Sequence, residues 1–162
     1  MRIYNFLIIL ALIPCAGFSA DPVSAGRYDL DPRTQEMRSE VSLAGGAEGY
    51  IKALVVALSK GLPKKLDEST YLIRASAQGL LLPMVYKLPK TISAEEFESA
   101  ANKLVLNTTL ELCLSPEGRV LTREYDVTYR YIYVNKVGKS LFSFNVDKTS
   151  CETFAGAGRL TK

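Results

Sequence analysis

Histidine and tryptophan are missing from this 162-residue sequence. Without His there is no usual general base, no usual zinc ligand, and no Ser-His or Cys-His pair. Cysteine is scarce: Cys15, Cys113 and Cys151 never form a Cys-x-x-Cys, which excludes thioredoxin-like exchange and a thiolate zinc site. The acids Asp29, Asp31, Asp67 and Glu68 are too scattered for a calcium loop. Gly45-Gly46-Ala47-Glu48-Gly49 has no Gly-Lys-Ser/Thr after it and no strand before it, so it is no phosphate loop. No catalytic group, metal or cofactor is expected. A dominant charge is lacking too, with 20 basic residues against 17 acidic. Such a balance argues against an obligate nucleic-acid binder, which shows a basic stripe.

Long apolar runs are confined to one place. Met1-Arg2-Ile3-Tyr4-Asn5 carries one positive charge, Phe6 to Pro14 is almost purely apolar, and Gly17-Phe18-Ser19-Ala20 offers small residues before the polar Asp21-Pro22. This is the anatomy of a secretory signal peptide over residues 1–20, too short to span a bilayer. The mature protein is expected to be periplasmic or secreted, with no stable membrane span. Pro14 is a poor fit before an acylated cysteine, so a lipid anchor at Cys15 is disfavoured. Loss of Cys15 leaves Cys113 and Cys151. An even count in an exported chain suggests a disulfide, the other reading being two unpaired core thiols.

Residues 21–46 are mixed and polar, and read as a flexible leader with at most one weak helical turn. Residues 47–151 read as a single domain. Ile51, Leu54, Val55 and Leu58 recur at helical spacing over Ala47–Lys60, closed by Gly61 and Pro63. Two strands around a Gln78-Gly79 turn follow, with Ala75 expected against Leu82, Ile73 against Met84 and Tyr71 against Tyr86. Ser93-Ala94-Glu95-Glu96 is a capping box opening a second long helix that buries Phe97, Ala101, Leu104 and Leu112 and ends at Cys113. Its first-turn glutamates suit the helix dipole and need no catalytic role. Ser115-Pro116 signals a further short helix.

The strongest fold signal is Tyr125 to Cys151. Alternation of β-branched and aromatic residues around Asn135–Gly138 marks a β-hairpin. A four-residue loop would set Tyr131 opposite Phe142, Tyr129 opposite Phe144 and Val127 opposite Val146 on one side. Ile132–Leu141, Arg130–Ser143 and Thr128–Asn145 would fall on the other. The expected fold is α+β: a four-stranded antiparallel sheet with two main helices on one face, in the order α-β-β-α-β-β. Its core would hold Ile51, Leu54, Leu58, Ile73, Phe97, Leu104, Tyr129, Tyr131, Phe142 and Phe144. Residues 152–162 read as a flexible tail.

The chain also resembles a group of small exported bacterial proteins of unassigned function. They share a Leu-Pro-x-x-x-Asp-Glu-x-Thr segment, a helix ending in Cys, a Tyr-x-Tyr strand, a Gly turn and a final Cys. The matching residues are Leu62, Pro63, Asp67, Glu68, Thr70, Cys113, Tyr131, Tyr133, Gly138 and Cys151. The resemblance implies export and the disulfide, and carries over no activity. Two function classes remain. One is a non-enzymatic binding or accessory protein of the bacterial envelope, serving a secretion or surface apparatus or inhibiting an exported enzyme, with another envelope protein as partner. The other is a small hydrolase working with carboxylates alone. For binding, the candidate surface is the hairpin face carrying Thr128, Arg130, Ile132, Leu141 and Ser143; an ordinary half-wet sheet face is the plainer reading of the same residues.

Overall fold

The computed structural model describes residues 31–88 and 94–157, with side chains from 94 to 99 and from 154 to 157 left out. The expected signal segment, Cys15, Ser93 of the capping box and residues 158–162 lie outside the described residues, and so does the side chain of Phe97. The domain is α+β, as the periodicity predicts.

The first difference is at the start. Residues 32–43, expected within a flexible leader, form a helix, α1 (Pro32–Leu43). Asp31 caps it, accepting from the Arg33 amide at 3.2 Å, and Pro32 fills the first turn, where its missing N–H costs nothing. Thr34, Met37 and Val41 are buried. The Arg38 guanidinium donates to both Glu124 carboxylate oxygens at 2.7–3.1 Å, and Arg119 reaches Asp31 at 3.4 Å. Composition hides this helix because only one narrow stripe is apolar. Helix α2 (Ala47–Ser59) follows at the expected place, with Ile51 fully buried and Leu54, Val55 and Leu58 packed against the core.

The sheet has five strands, in the order β1-β2-β3-β4-β5, rather than four. These are β1 (Lys64–Lys65), β2 (Tyr71–Ala75), β3 (Leu81–Lys87), β4 (Thr128–Val134) and β5 (Ser140–Val146). Nor is it wholly antiparallel: β3 and β4 run parallel, Leu82 beside Tyr129 and Tyr86 beside Tyr133. A parallel pair needs a long crossover. Here it contains α3 (Ala94–Leu114), α4 (Pro116–Arg119) and a π-helical turn over Val120–Glu124. Ser115 caps α4 as its sequence predicts, accepting from the Gly118 amide at 2.9 Å. A last helix, α5 (Lys148–Ala157), begins within the expected domain and runs on through residues 152–157 of the expected flexible tail.

Both hairpins form in registers other than those expected. In the first, Gln78 and Leu81 exchange backbone hydrogen bonds of 2.9 and 3.1 Å, so the turn is Gly79-Leu80. Gly79 takes φ +59°, the left-handed conformation that glycine adopts without strain. Moving the turn by one residue shifts the pairing by two, so Ala75 faces Met84 rather than Leu82 and stays buried. An irregularity between Leu72 and Arg74 then exchanges the faces at the start of β2, so Leu72 is buried opposite Tyr86, Tyr71 turns outward, and Ile73, expected in the core, is only half-buried. In the second hairpin, Asn135 Oδ1 accepts from the amides of Val137 and Lys139. Asn135 thereby closes a tight loop, and the ladder shifts between Tyr133 and Val134. Tyr131 then faces Phe144 and Tyr129 faces Val146, two residues from expectation. A slip of two keeps every side chain on its face. Asp126 falls beyond the ladder at φ +54° and meets Lys148 at 3.6 Å.

The core lies between the helices and one sheet face. It gathers Leu82, Met84, Tyr86, Tyr129, Tyr131, Tyr133 and Val146, with Val120, Leu121 and Val127 from the crossover. Tyr86, Tyr131, Tyr133 and Phe144 stack at centroid distances of 4.9–6.4 Å. Phe142 and Phe144 are half-buried at the margin. The expected disulfide is present, joining Cys113 at the end of α3 to Cys151 in α5.

Candidate functional site

The open side of the sheet follows from strand register alone. Three rows of outward side chains cross it. The first runs Lys65, Tyr71, Lys87, Val134, Ser140; the second Arg74, Val85, Ile132, Ser143; the third Pro83, Arg130, Asn145. Pro83 and Val85, on the central strand, lie buried at the floor, and Ile132 is half-buried beside them. Arg74 and Arg130 stand exposed at the flanks, their aliphatic stems able to cover apolar floor while the charges stay wet. Arg130 Nε donates to Asn145 Oδ1 at 3.1 Å, which orients the guanidinium across β5. Two shallow grooves result. One, of about 320 Å³, is lined by Arg74, Ser76, Gln78, Pro83, Val85, Arg130 and Ile132. The other, of about 390 Å³, lies over Arg130, Ile132, Ser140, Ser143, Phe144 and Asn145.

Of the face expected from sequence, Arg130, Ile132 and Ser143 are brought together. Leu141 sits at the β5 irregularity, 42% exposed, and Thr128 lies at the far end beside Leu81, apart from both grooves. Sequence reasoning missed the β2 and β3 contributions, Arg74, Pro83 and Val85. Nothing local marks them: they join the face only through the pairing of β2 with β3 and of β3 with β4.

Acidic groups converge elsewhere, without reaching this face. Glu117 of α4 is buried, and burial pushes its carboxyl up to about 7. The Tyr129 hydroxyl donates to it at 3.4 Å, which pulls the other way, and the Glu40 charge raises it further. Tyr50 and Tyr129 are both raised by burial and by the Glu117 charge. Asp67, in the β1–β2 loop, is pushed up by burial, yet the Ser69 amide and hydroxyl hold it below the usual carboxylate range. Among the described residues no group of three or more His, Cys, Asp or Glu could hold a metal. Among them, too, no single helix is long and apolar enough to cross a membrane.

No protein-family model and no curated protein matches the sequence. Solved structures do. A pilotin from the type 2 secretion system of Vibrio vulnificus, EpsS, is 15% identical, with a TM-score of 0.52 over 74% of this chain and 94% of that one. A Pseudomonas aeruginosa protein described as secreted is 15% identical, with a TM-score of 0.56 over 75% of this chain and 97% of that one. At such identity the likeness shows a shared fold.

Proposed function

We propose that this chain is an exported, non-enzymatic accessory protein of the bacterial envelope that docks another envelope protein, one belonging to a secretion apparatus, on its open sheet face. The observation that carries the reading is a sheet that, among the described residues, helices cover on one side, with an apolar floor of Pro83, Val85 and Ile132 between Arg74 and Arg130 on the other. Sheets in layered domains bury both faces unless one is solvated or used. Three further points support it: the fold shared with a pilotin, a buried disulfide suited to an oxidising compartment, and the sequence resemblance to small exported proteins. Glu117 serves the interior, 5% exposed beneath Tyr129, and a hydrolase would need its acid to meet substrate.

Photocrosslinking tests this. A benzophenone amino acid at Ile132 or Ser143 of the full chain, expressed in its own host, is expected to capture an envelope protein. The same probe at Lys103, exposed on α3, is expected to capture none. Equal capture from both surfaces, or none from the sheet face in exported protein, would remove the docking face.

A further inference from the structure

The charge on the strands is one-sided. The five strands hold Lys64, Lys65, Arg74, Lys87 and Arg130, and no carboxylate. Register places Lys65, Arg74, Lys87 and Arg130 on the open face, cross-strand partners of Tyr71, Val85, Val134 and Asn145. No ion pair neutralises any of the four among the described residues, whose pairs are Arg38–Glu124, Lys52–Glu48, Arg119–Asp31 and Lys148–Asp126. Of the carboxylates near them in sequence, Asp67 is engaged by Ser69 and Asp126 by Lys148, while Glu68 stands exposed and takes part in none of these ion pairs. Among the described residues, four cations without an ion pair thus surround an apolar strip.

We infer that the occupant of this face is an acidic amphipathic helix of the partner protein, its carboxylates meeting Arg74 and Arg130 and its apolar side chains lying on Pro83, Val85 and Ile132. The inference rests on the docking reading above and adds the partner's chemistry. Spacing defines it further. Arg74 and Arg130 are separated by two strand intervals and one two-residue step, a Cα distance of about 12 Å. A helix rises ~1.5 Å per residue, so carboxylates roughly seven or eight positions apart match the two arginines. Residues three and four positions along from the first acid then fall between them, on the same side, where apolar contact with Val85 and Ile132 is needed. An extended segment satisfies the charges less well, because the strip lies on the sheet surface, where an added strand finds no backbone partners. Arginine suits the task, since its planar fork binds a carboxylate through two parallel hydrogen bonds.

The experiment uses the Ile132 photocrosslinker in the full chain, with and without R74E/R130E, and mass spectrometry of the captured segment. Both arginines are exposed, so the double variant is expected to keep its fold, checked by circular dichroism and by intact Cys113–Cys151. Capture is expected to fall at least tenfold in R74E/R130E, about 1.4 kcal/mol, and to return when the captured segment's carboxylates are changed to arginine. K52E/K103E, on the helical side, is expected to capture like wild type. Capture insensitive to R74E/R130E, or a captured segment without two carboxylates at that spacing, overturns the acidic-helix inference and leaves the docking face standing. No capture from any sheet-face position overturns both. Vesicles of phosphatidylethanolamine and phosphatidylglycerol at 3:1 complete the test. Flotation with them by wild type, lost in R74E/R130E and with no protein captured, would make this a lipid-binding surface and also overturn the inference.

Discussion

Replacing Glu117 with Gln isolates one buried charge. The side chain lies in α4 and faces Tyr129 of β4, with Tyr50 of α2 and Glu40 of α1 near enough to act on it or be acted on. In the unfolded chain its pKa is 4.5, and in the folded protein burial lifts it to about 7. The sign follows from which state holds the proton. Below pH 4.5 the group is protonated in both states and costs nothing. Between 4.5 and 7 only the folded state retains the proton, so raising the pH progressively favours unfolding. Above pH 7 the folded protein carries a buried carboxylate. The loss across this window is about 3 kcal/mol, at ~1.4 kcal/mol per unit. Glutamine has the same shape, can still accept from the Tyr129 hydroxyl, and never ionises. Urea unfolding followed by far-ultraviolet circular dichroism, which needs no tryptophan, is the assay. Wild type is expected to lose stability from pH 4.5 to 8 more steeply than E117Q, which keeps only the same-signed contribution of Glu111, also raised by burial, the two variants meeting near pH 4 and E117Q leading by about 3 kcal/mol at pH 8. Asp67 has the opposite sign, its stabilisation being lost as pH falls from the ordinary carboxylate value of 3.8 through its lowered pKa, outside this window. Parallel curves for wild type and E117Q between pH 4.5 and 8 would refute the reasoning.

Cys113→Ser or Cys151→Ser is expected to lower stability by about 4 kcal/mol in oxidising buffer, the bond closing a loop of 38 residues. Guanidinium midpoints should converge with wild type once reductant is added. Met37→Ala, on the α1 face buried against the core, should cost about 2–3 kcal/mol, and an effect within 0.5 kcal/mol would return residues 32–43 to the status of a leader. Gly118→Ala should destabilise by more than 1 kcal/mol in urea titration, since a Cβ there would run into the Leu112 carbonyl. Phe144→Ala, half-buried and stacked 4.9 Å from Tyr131, should cost about 2 kcal/mol in the same assay, less than a fully buried Phe.

The faces of the second hairpin were legible in the chain although its register was not. An Asn135 loop plus an irregularity moved the pairing by two, and a period of two forgives that error. The turn of the first hairpin was forgiven in the same way: its shift from Gln78-Gly79 to Gly79-Leu80 also moved the pairing by two and left Ala75 inside. The irregularity at Ile73 was not, because alternation gives no sign of it, and it turned Leu72 in and Tyr71 out. The parallel β3–β4 seam was illegible because each hairpin reads as complete by itself, and nothing local says how two hairpins meet. Helix α1 left a readable trace in Asp31-Pro32, a cap followed by a first-turn proline, with Met37 and Val41 four apart. The candidate face was half-legible: Arg130, Ile132 and Ser143 share a strand pair, whereas Arg74 and Val85 join them only through the seam.

That seam also sets an order of assembly. Contacts within each hairpin span few residues, whereas those between Leu81–Lys87 and Thr128–Val134 must wait for the forty intervening residues to be gathered. Until then β3 and β4 are both raw edges, rich in Leu, Val, Ile and Tyr and each carrying a single charge at most mid-strand. Such edges pair with whatever strand arrives first, including those of neighbouring chains. The speed with which α3, α4 and the π-helical turn collapse onto the tyrosine stack therefore decides how concentrated the refolding protein can be before it aggregates.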